Sequence, residues 1–228
     1  AMEAYELSKT FPNVNDSLIE LSLNYVKNAI RLMENPIQVE IKNLGSDVNT
    51  EYPEYSPLPL YKTSQLLFTS TRKSSTGGKV AAIGGDYFED GYICKAKNLN
   101  SLNPALDSAV NMGIGINTSA NDGPIAIDGS ERFVYIYRRS TLWKSNVSAN
   151  GELGEPYITK FPFLSRNSVG NSIFITKDNK TVYFVDSKPG GFGGKDIYKA
   201  VKMDDGKWGP AINLGPTINS QLNEESPF

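Results

Sequence analysis

Three phrases rich in aromatic and β-branched residues recur along the chain. They are Leu66-Leu67-Phe68-Thr69-Ser70-Thr71-Arg72, Phe133-Val134-Tyr135-Ile136-Tyr137-Arg138-Arg139 and Val182-Tyr183-Phe184-Val185-Asp186-Ser187-Lys188. Each ends on a cation. Each is followed by a shorter run that ends on lysine: Gly91-Tyr92-Ile93-Cys94-Lys95, Thr141-Leu142-Trp143-Lys144 and Asp196-Ile197-Tyr198-Lys199. Such runs read as paired strands, and the Gly- and Asp-rich segments between them, Pro189 to Lys195 above all, read as turns. A further phrase, Asn43-Leu44-Gly45-Ser46-Asp47-Val48-Asn49-Thr50, matches Asn213-Leu214-Gly215-Pro216-Thr217-Ile218-Asn219-Ser220, and both lead to Ser-Pro. Ile116-Asn117-Thr118 is a weaker middle copy.

Internal periodicity constrains the fold more than any composition. From Leu44 to Leu214 the offset is 170 residues. Three repeats in that span average ~57 residues, slightly above the length of a four-stranded propeller blade. Residues 73–90 and 96–115 read as loop insertions that supply the excess. A parallel β-helix needs shorter repeats, and a sandwich does not repeat at this length. The expected fold is therefore mainly β: about three β-propeller blades with an N-terminal α-helical segment. Gly151–Pro156 and Gly206–Pro210 read as matching turns between blades. Because propellers close with about four to eight blades, three predict an incomplete ring within a longer protein; closure through a shared blade is the alternative.

Residues 1–36 form the helical segment and 37–228 the blades. Asp16 to Asn35 contains neither Gly nor Pro, and Asn15 or Asp16 can cap its start. Leu18, Leu21, Tyr25, Ala29 and Leu32 make one stripe, and Ile19, Leu23, Val26, Ile30 and Met33 an adjacent one. So broad an apolar surface predicts a helix packed between other elements. Met2 to Lys9 reads as a shorter preceding helix, and Pro36 stops the long one.

Composition removes several function classes. The chain has no histidine, which excludes histidine-containing triads and zinc-hydrolase motifs. Cys94 is the single cysteine, so no intrachain disulfide forms. A net charge of −2 gives no general drive toward nucleic acid or anionic membranes. No cofactor, metal, nucleic acid or membrane insertion is expected, and no signal peptide is visible at the start.

Glu54-Tyr55-Ser56-Pro57 through Phe68-Thr69-Ser70-Thr71-Arg72 resembles the TolB-like PD40 (WD40-like) repeat, as does Lys188-Pro189-Gly190-Gly191-Phe192-Gly193-Gly194-Lys195-Asp196-Ile197-Tyr198. Asn213 to Ser220 resembles the segment between its blades. Helices, then Asn35-Pro36-Ile37, then such blades are similar to a class in Bacteroidetes-type bacteria. There, tetratricopeptide-like helices precede a PD40 propeller, and an OmpA-like domain binds peptidoglycan. That class includes a component associated with type IX secretion. The resemblance, over about residues 14 to 228, implies an exported protein of the periplasm and outer membrane with an assembly role among protein partners. Peptidoglycan binding belongs to a domain absent from this chain and transfers to no residue here.

Candidate partner-binding residues are Arg72, Arg139 and Lys188, which follow equivalent strands, and Asp90 and Asp196, which precede the next strand. Asp86 joins them, because Asp86, Glu89 and Asp90 form an acidic cluster that lacks EF-hand spacing. The bland reading of the cations and acids is an ion pair or turn hydrogen bond that fixes a hairpin. Gly190–Gly194 lacks the ending of a phosphate-binding loop and opens onto a strand. No catalytic residue is assigned. A carbohydrate-active propeller would use two carboxylates, and Glu54, Asp122, Asp128 and Glu224 lie near strand starts. A peptide-binding propeller, with Tyr55, Tyr135, Tyr137, Tyr183 and Trp208 as an aromatic platform, is the other alternative. The expected function is a non-catalytic interaction scaffold of the cell envelope, with loops 73–90 and 96–115 as first candidates for partner contact.

Overall fold

A computed structural model describes residues 2–11, 15–80, 85–101, 103–139, 141–165 and 172–228. The chain divides into two compact units, Ala1–Asn43 and Leu44–Phe228. The first unit holds two packed helices, α1 (Met2–Ser8) and α2 (Asp16–Glu34). The Asn15 side-chain oxygen caps α2 by accepting from the Leu18 N–H at 3.2 Å. Pro36 follows the helix end, as the sequence predicts. The helix is not enclosed on two sides, however. Ile19 and Leu23 are buried, whereas Leu18, Tyr25, Ile30, Leu32 and Met33 are exposed. The only described helix packed on it, α1, is seven residues long and covers one face. Residues 36–45 carry no strand, although strand reading was expected from Ile37 onward.

The second unit is built of three four-stranded antiparallel meanders. Sheet 1 comprises β1 (Glu54–Leu60), β2 (Gln65–Ser70), β3 (Asp90–Lys95) and β4 (Val110–Asn111). Sheet 2 comprises β5 (Asp122–Ile127), β6 (Phe133–Arg138), β7 (Thr141–Asn146) and β8 (Tyr157–Ile158). Sheet 3 comprises β9 (Ile173–Ile175), β10 (Thr181–Asp186), β11 (Asp196–Val201) and β12 (Ile212–Asn213). The paired runs seen in the sequence are the two central strands of each sheet. Their registers align: Ser70 faces Asp90, Arg138 faces Thr141, and Asp186 faces Asp196. Strand β5 touches β1, β2 and β3 on one side and β9 on the other.

Three apolar clusters hold the sheets. Leu60, Leu67, Ile116, Val134 and Ile136 are buried between sheets 1 and 2. Tyr135, Phe161, Phe163, Ile173, Ile175, Val182, Phe184 and Tyr198 are among those buried where sheet 2 meets sheet 3. The far face of sheet 1 buries Val48, Leu66, Phe68, Tyr92 and Cys94 under partly buried Leu99, Leu106 and Ala109. Three residues of the second predicted insertion, Leu99, Leu106 and Ala109, thus cover an apolar sheet face. The Gly151–Pro156 and Gly206–Pro210 turns do not run between sheets. They connect β7 to β8 and β11 to β12 within one sheet, with bridges Val147–Leu153 and Lys202–Trp208. Gly151 and Gly206 lie at φ +84° and +80°, where a tight hairpin turn favours glycine.

One segment repeats before sheet 1, between sheets 1 and 2 and after sheet 3, more strictly than the phrase comparison suggested. Asn-x-Gly-x-x-(Val/Ile)-Asn stands at 43–49, 111–117 and 213–219, with an acid five residues on: Glu54, Asp122 and Glu224. In the second and third copies, the last Asn grips a strand peptide with both side-chain atoms. Asn117 accepts from the Gly91 N–H at 2.8 Å and donates to the Gly91 carbonyl at 2.9 Å. Asn219 does the same to Ile197, at 2.8 and 3.0 Å. Each also donates to the first Asn of its motif at 2.8 Å. The first copy differs: Asn49 accepts from the Leu44 N–H at 3.2 Å. Asn117→Ala and Asn219→Ala leave two polar atoms of a strand peptide unsatisfied and should each cost about 2–3 kcal/mol. Asn49→Ala should cost about 1 kcal/mol or less. Urea unfolding followed by Trp143 and Trp208 fluorescence measures the difference.

Candidate functional site

Each sheet carries a cation that lies against an aromatic ring and also meets a backbone carbonyl and a carboxylate. The Arg72 guanidinium lies 5.3 Å from the Phe68 ring centre and 4.5 Å from that of Tyr92. It donates to the Val48 carbonyl at 2.7 Å and to Glu54 at 3.0 Å. Lys188 Nζ lies 5.3 Å from Phe184 and 5.4 Å from Tyr198, donates to the Phe163 carbonyl at 2.6 Å, and pairs with Asp186 at 3.6 Å. Both ring pairs stack alike, with centroids 6.0 and 5.8 Å apart. In sheet 2 the cation is Arg138, 4.7 Å from the Trp143 ring, donating to the Gly115 and Ile116 carbonyls and 3.7 Å from Asp122.

Arg139 therefore does not take the place that its position in the repeat predicted. Side chains alternate across a strand, and it is Arg138 that points to the rings. Arg139 is exposed at φ +49°. The anionic partners also differ from the expected ones. Asp90 and Asp196 are buried, but they cap turns rather than pair with the cations. Asp196 accepts from Phe192 and Gly193 N–H groups at 2.7 and 3.2 Å and from the Asn213 side chain at 2.9 Å. Asp90 accepts from the Thr76 N–H and from Asn111. The Gly190–Gly194 loop is thus the turn that Asp196 organises. Asp86 is half-buried, in an insertion whose residues 81–84 lie outside those described. The structure does not bring Arg72, Asp86, Asp90, Arg139, Lys188 and Asp196 into one site: Arg72, Lys188, Asp90 and Asp196 are distributed over sheets 1 and 3 as separate internal supports.

The four acids at strand starts are occupied in the same way. Glu54 accepts from Thr50, Ser70 and Arg72, and Asp122 from Thr118. Glu224 accepts from the Ser220 hydroxyl and Asp128 from Ser130, Arg132 and Phe133. Burial raises the Asp90 carboxyl above its ordinary range against its hydrogen bonds, and the nearby Asp122 charge adds to the rise. Burial also raises Asp122, against Thr118 and the charge of Arg138. For Glu54 and Asp128, burial pulls upward but hydrogen bonds outweigh it, and both are held below the ordinary range. Of the aromatic residues, Tyr135 is buried and Trp208 packs on the same cluster, so neither serves an open platform; Tyr55 is bonded to Glu89 at 2.6 Å. Cys94 is buried, and burial pushes its thiol up to about 11.

One open cavity of about 480 Å³ lies between sheets 1 and 2, lined by residues that include Gln65, Lys95, Met112, Ile116, Glu152 and Glu155. Among the described residues, no group of three or more Asp, Glu or Cys is placed to hold a metal, and no helix is long and apolar enough to cross a membrane. The sequence reading missed Arg138, and it noted Glu54 and Asp122 only as carboxylates near strand starts, not as partners of the cations. The readable signal was the fixed spacing of Asn, Asn and acid. No protein-family model matches the chain, and no curated protein matches it.

Arg72→Met strands the buried Glu54 carboxylate and should cost about 3 kcal/mol, with part recovered in Arg72→Met/Glu54→Gln. Denaturant melts of the double-mutant cycle test this. The depressed Asp128 contributes stability above the ordinary carboxylate pKa of about 4, and that contribution disappears as pH falls through its folded value. The stability gap between the protein and Asp128→Asn should therefore be widest near pH 7 and shrink below about pH 4, as thermal melts across pH would show.

Proposed function

We propose that residues 44–228 are blades of a PD40-type β-propeller and that the protein serves as a non-catalytic interaction scaffold of the bacterial envelope, periplasmic or attached to the outer membrane. One observation carries the reading. Most of the charged residues near the strand ends are spent on fastening the sheets: Arg72, Arg138 and Lys188 each bond a linker carbonyl, and Asp196 and Asp122 each cap a turn or linker. Three like sheets, joined through first strands that neighbour one another, support the propeller reading. Rigid sheets with variable outer loops suit protein partners better than a reaction centre. The helices of residues 2–34, with exposed apolar side chains, fit the end of a tetratricopeptide-like array. The partners are envelope proteins, with type IX secretion or outer-membrane assembly as the setting that the sequence resemblance implies.

A carbohydrate-active protein would need two carboxylates free to face a common substrate, and Glu54, Asp122 and Asp128 are each held by several hydrogen bonds. Photocrosslinking residues placed at Lys79 and Asn98, in the two insertions, test the scaffold reading in the producing cell. Adducts with envelope proteins from either position, and residence in the envelope fraction, are expected. Residence in the cytoplasm, or hydrolysis of a glycan by the purified protein, overturns the reading.

A further inference from the structure

The cavity between sheets 1 and 2 has two unlike walls. Sheet 1 supplies the first. Gln65 opens β2 and stands opposite Lys95, the last residue of β3, so both side chains rise from one face of the sheet. Ile93, two residues back on β3, shares that face. The second wall is the turn from β7 to β8, which brings in Glu152, Leu153 and Glu155. The turn comes close to the sheet because residue 151 is glycine, and a Cβ there would collide with the Gln65 amide. Met112 and Ile116, from the linker between the sheets, complete the lining. Ile93, Met112 and Leu153 are the rim of the apolar cluster buried between the two sheets.

The polar groups of this lining are unspent. Gln65 is 3% exposed, and its Oε1 accepts from the Thr63 hydroxyl at 2.7 Å. Its Nε2 donates to no atom among the described residues. A buried amide donor costs free energy unless something in the cavity accepts from it. Lys95 Nζ and the carboxylates of Glu152 and Glu155 make no hydrogen bond or ion pair among the described residues, with one another or with any other group. Arg72, Arg138 and Lys188 are different, since each has a carboxylate of its own. Donors therefore stand on one wall and acceptors on the other, over apolar side chains. That pattern matches a ligand with one anionic end, one cationic end and an apolar body.

Size narrows the class. A cube of about 480 Å³ has an edge of about 8 Å, and two extended residues span about 7 Å. We propose that this cavity binds a dipeptide with apolar side chains by both of its ends. Lys95 and Gln65 Nε2 receive the carboxylate, Glu152 and Glu155 receive the ammonium, and Ile93, Met112 and Ile116 receive the side chains. The site lies wholly between sheets 1 and 2 and does not depend on the envelope reading.

Leucyl-leucine is the probe, titrated into the 228-residue protein by calorimetry and followed by amide shifts. Saturable one-to-one binding is expected, with shifts confined to the neighbourhood of Gln65, Ile93 to Lys95, Met112 to Ile116 and Gly151 to Pro156. Blocking either end of the probe, by N-acetylation or by C-terminal amidation, should weaken binding about tenfold. Lys95→Gln should weaken the free dipeptide about tenfold and leave the amidated one unchanged. Glu152→Gln/Glu155→Gln should weaken the free dipeptide by a similar factor and leave the acetylated one unchanged. All three side chains are exposed, so the variants should melt as the parent does; if the double variant does not, Lys95→Gln alone decides. No saturation at millimolar dipeptide, equal affinity for free and blocked ends, indifference to Lys95→Gln, or shifts centred elsewhere overturns the proposal.

Discussion

The wedged cation is the interaction on which the three-sheet unit depends. A guanidinium or ammonium lies against rings of its own sheet while it donates to a carbonyl of the segment that leads into that sheet. One side chain thereby joins central strands to linker, and a carboxylate neutralises it. Such a group is costly to bury alone and favourable only when its donors are satisfied. For Arg72 and Lys188 the carbonyl, the ring face and the carboxylate supply those partners, and for Arg138 two carbonyls do so while Nε has the Asp122 charge 3.7 Å away. The apolar clusters supply most of the driving force, as in any β domain, but they do not fix where a linker sits. The polar wedge does.

The linkers complete the fastening from the other end. Asn117 and Asn219 present an amide to a strand peptide as another strand would, donating and accepting at once. The bond geometry of a ladder is thus extended by one side chain, at a point where the backbone must leave the sheet. Gly113 and Gly215, both at φ +77°, let the chain turn tightly enough for the two asparagines of each motif to meet. Sheets 1 and 3 carry this arrangement in full, and sheet 2 passes to sheet 3 through Phe161 and Phe163 instead, with Ser165 bonded to Asp186.

Much of this was legible beforehand. The central strand pairs and the two helices follow from periodicity and residue type alone. Turn placement was less legible. Gly151–Pro156 and Gly206–Pro210 are alike because both close the third hairpin position of a sheet, and glycine-rich sequence does not distinguish turns within a sheet from turns between sheets. Arg138 was hidden because a ring of partners can be reached from more than one backbone position. Arg72 and Lys188 lie two residues past their strands, and Arg138 is the last residue of its own. The breadth of the α2 apolar surface over-predicted burial, since periodicity reports which faces are apolar and not how many neighbours arrive.

That last displacement has a consequence for how such a chain can change over time. When a cation is held by ring, carbonyl and carboxylate, its task is defined by a volume rather than by a position in the sequence. Sheet 2 fills the volume from Arg138 and sheet 3 fills it with lysine, so residue type and anchoring point both differ while the fastening is alike. Divergence of this kind erases the resemblance between repeats faster than it erodes their packing. A repeat protein can then keep one architecture long after its copies cease to look alike to one another, or to the copies in any relative.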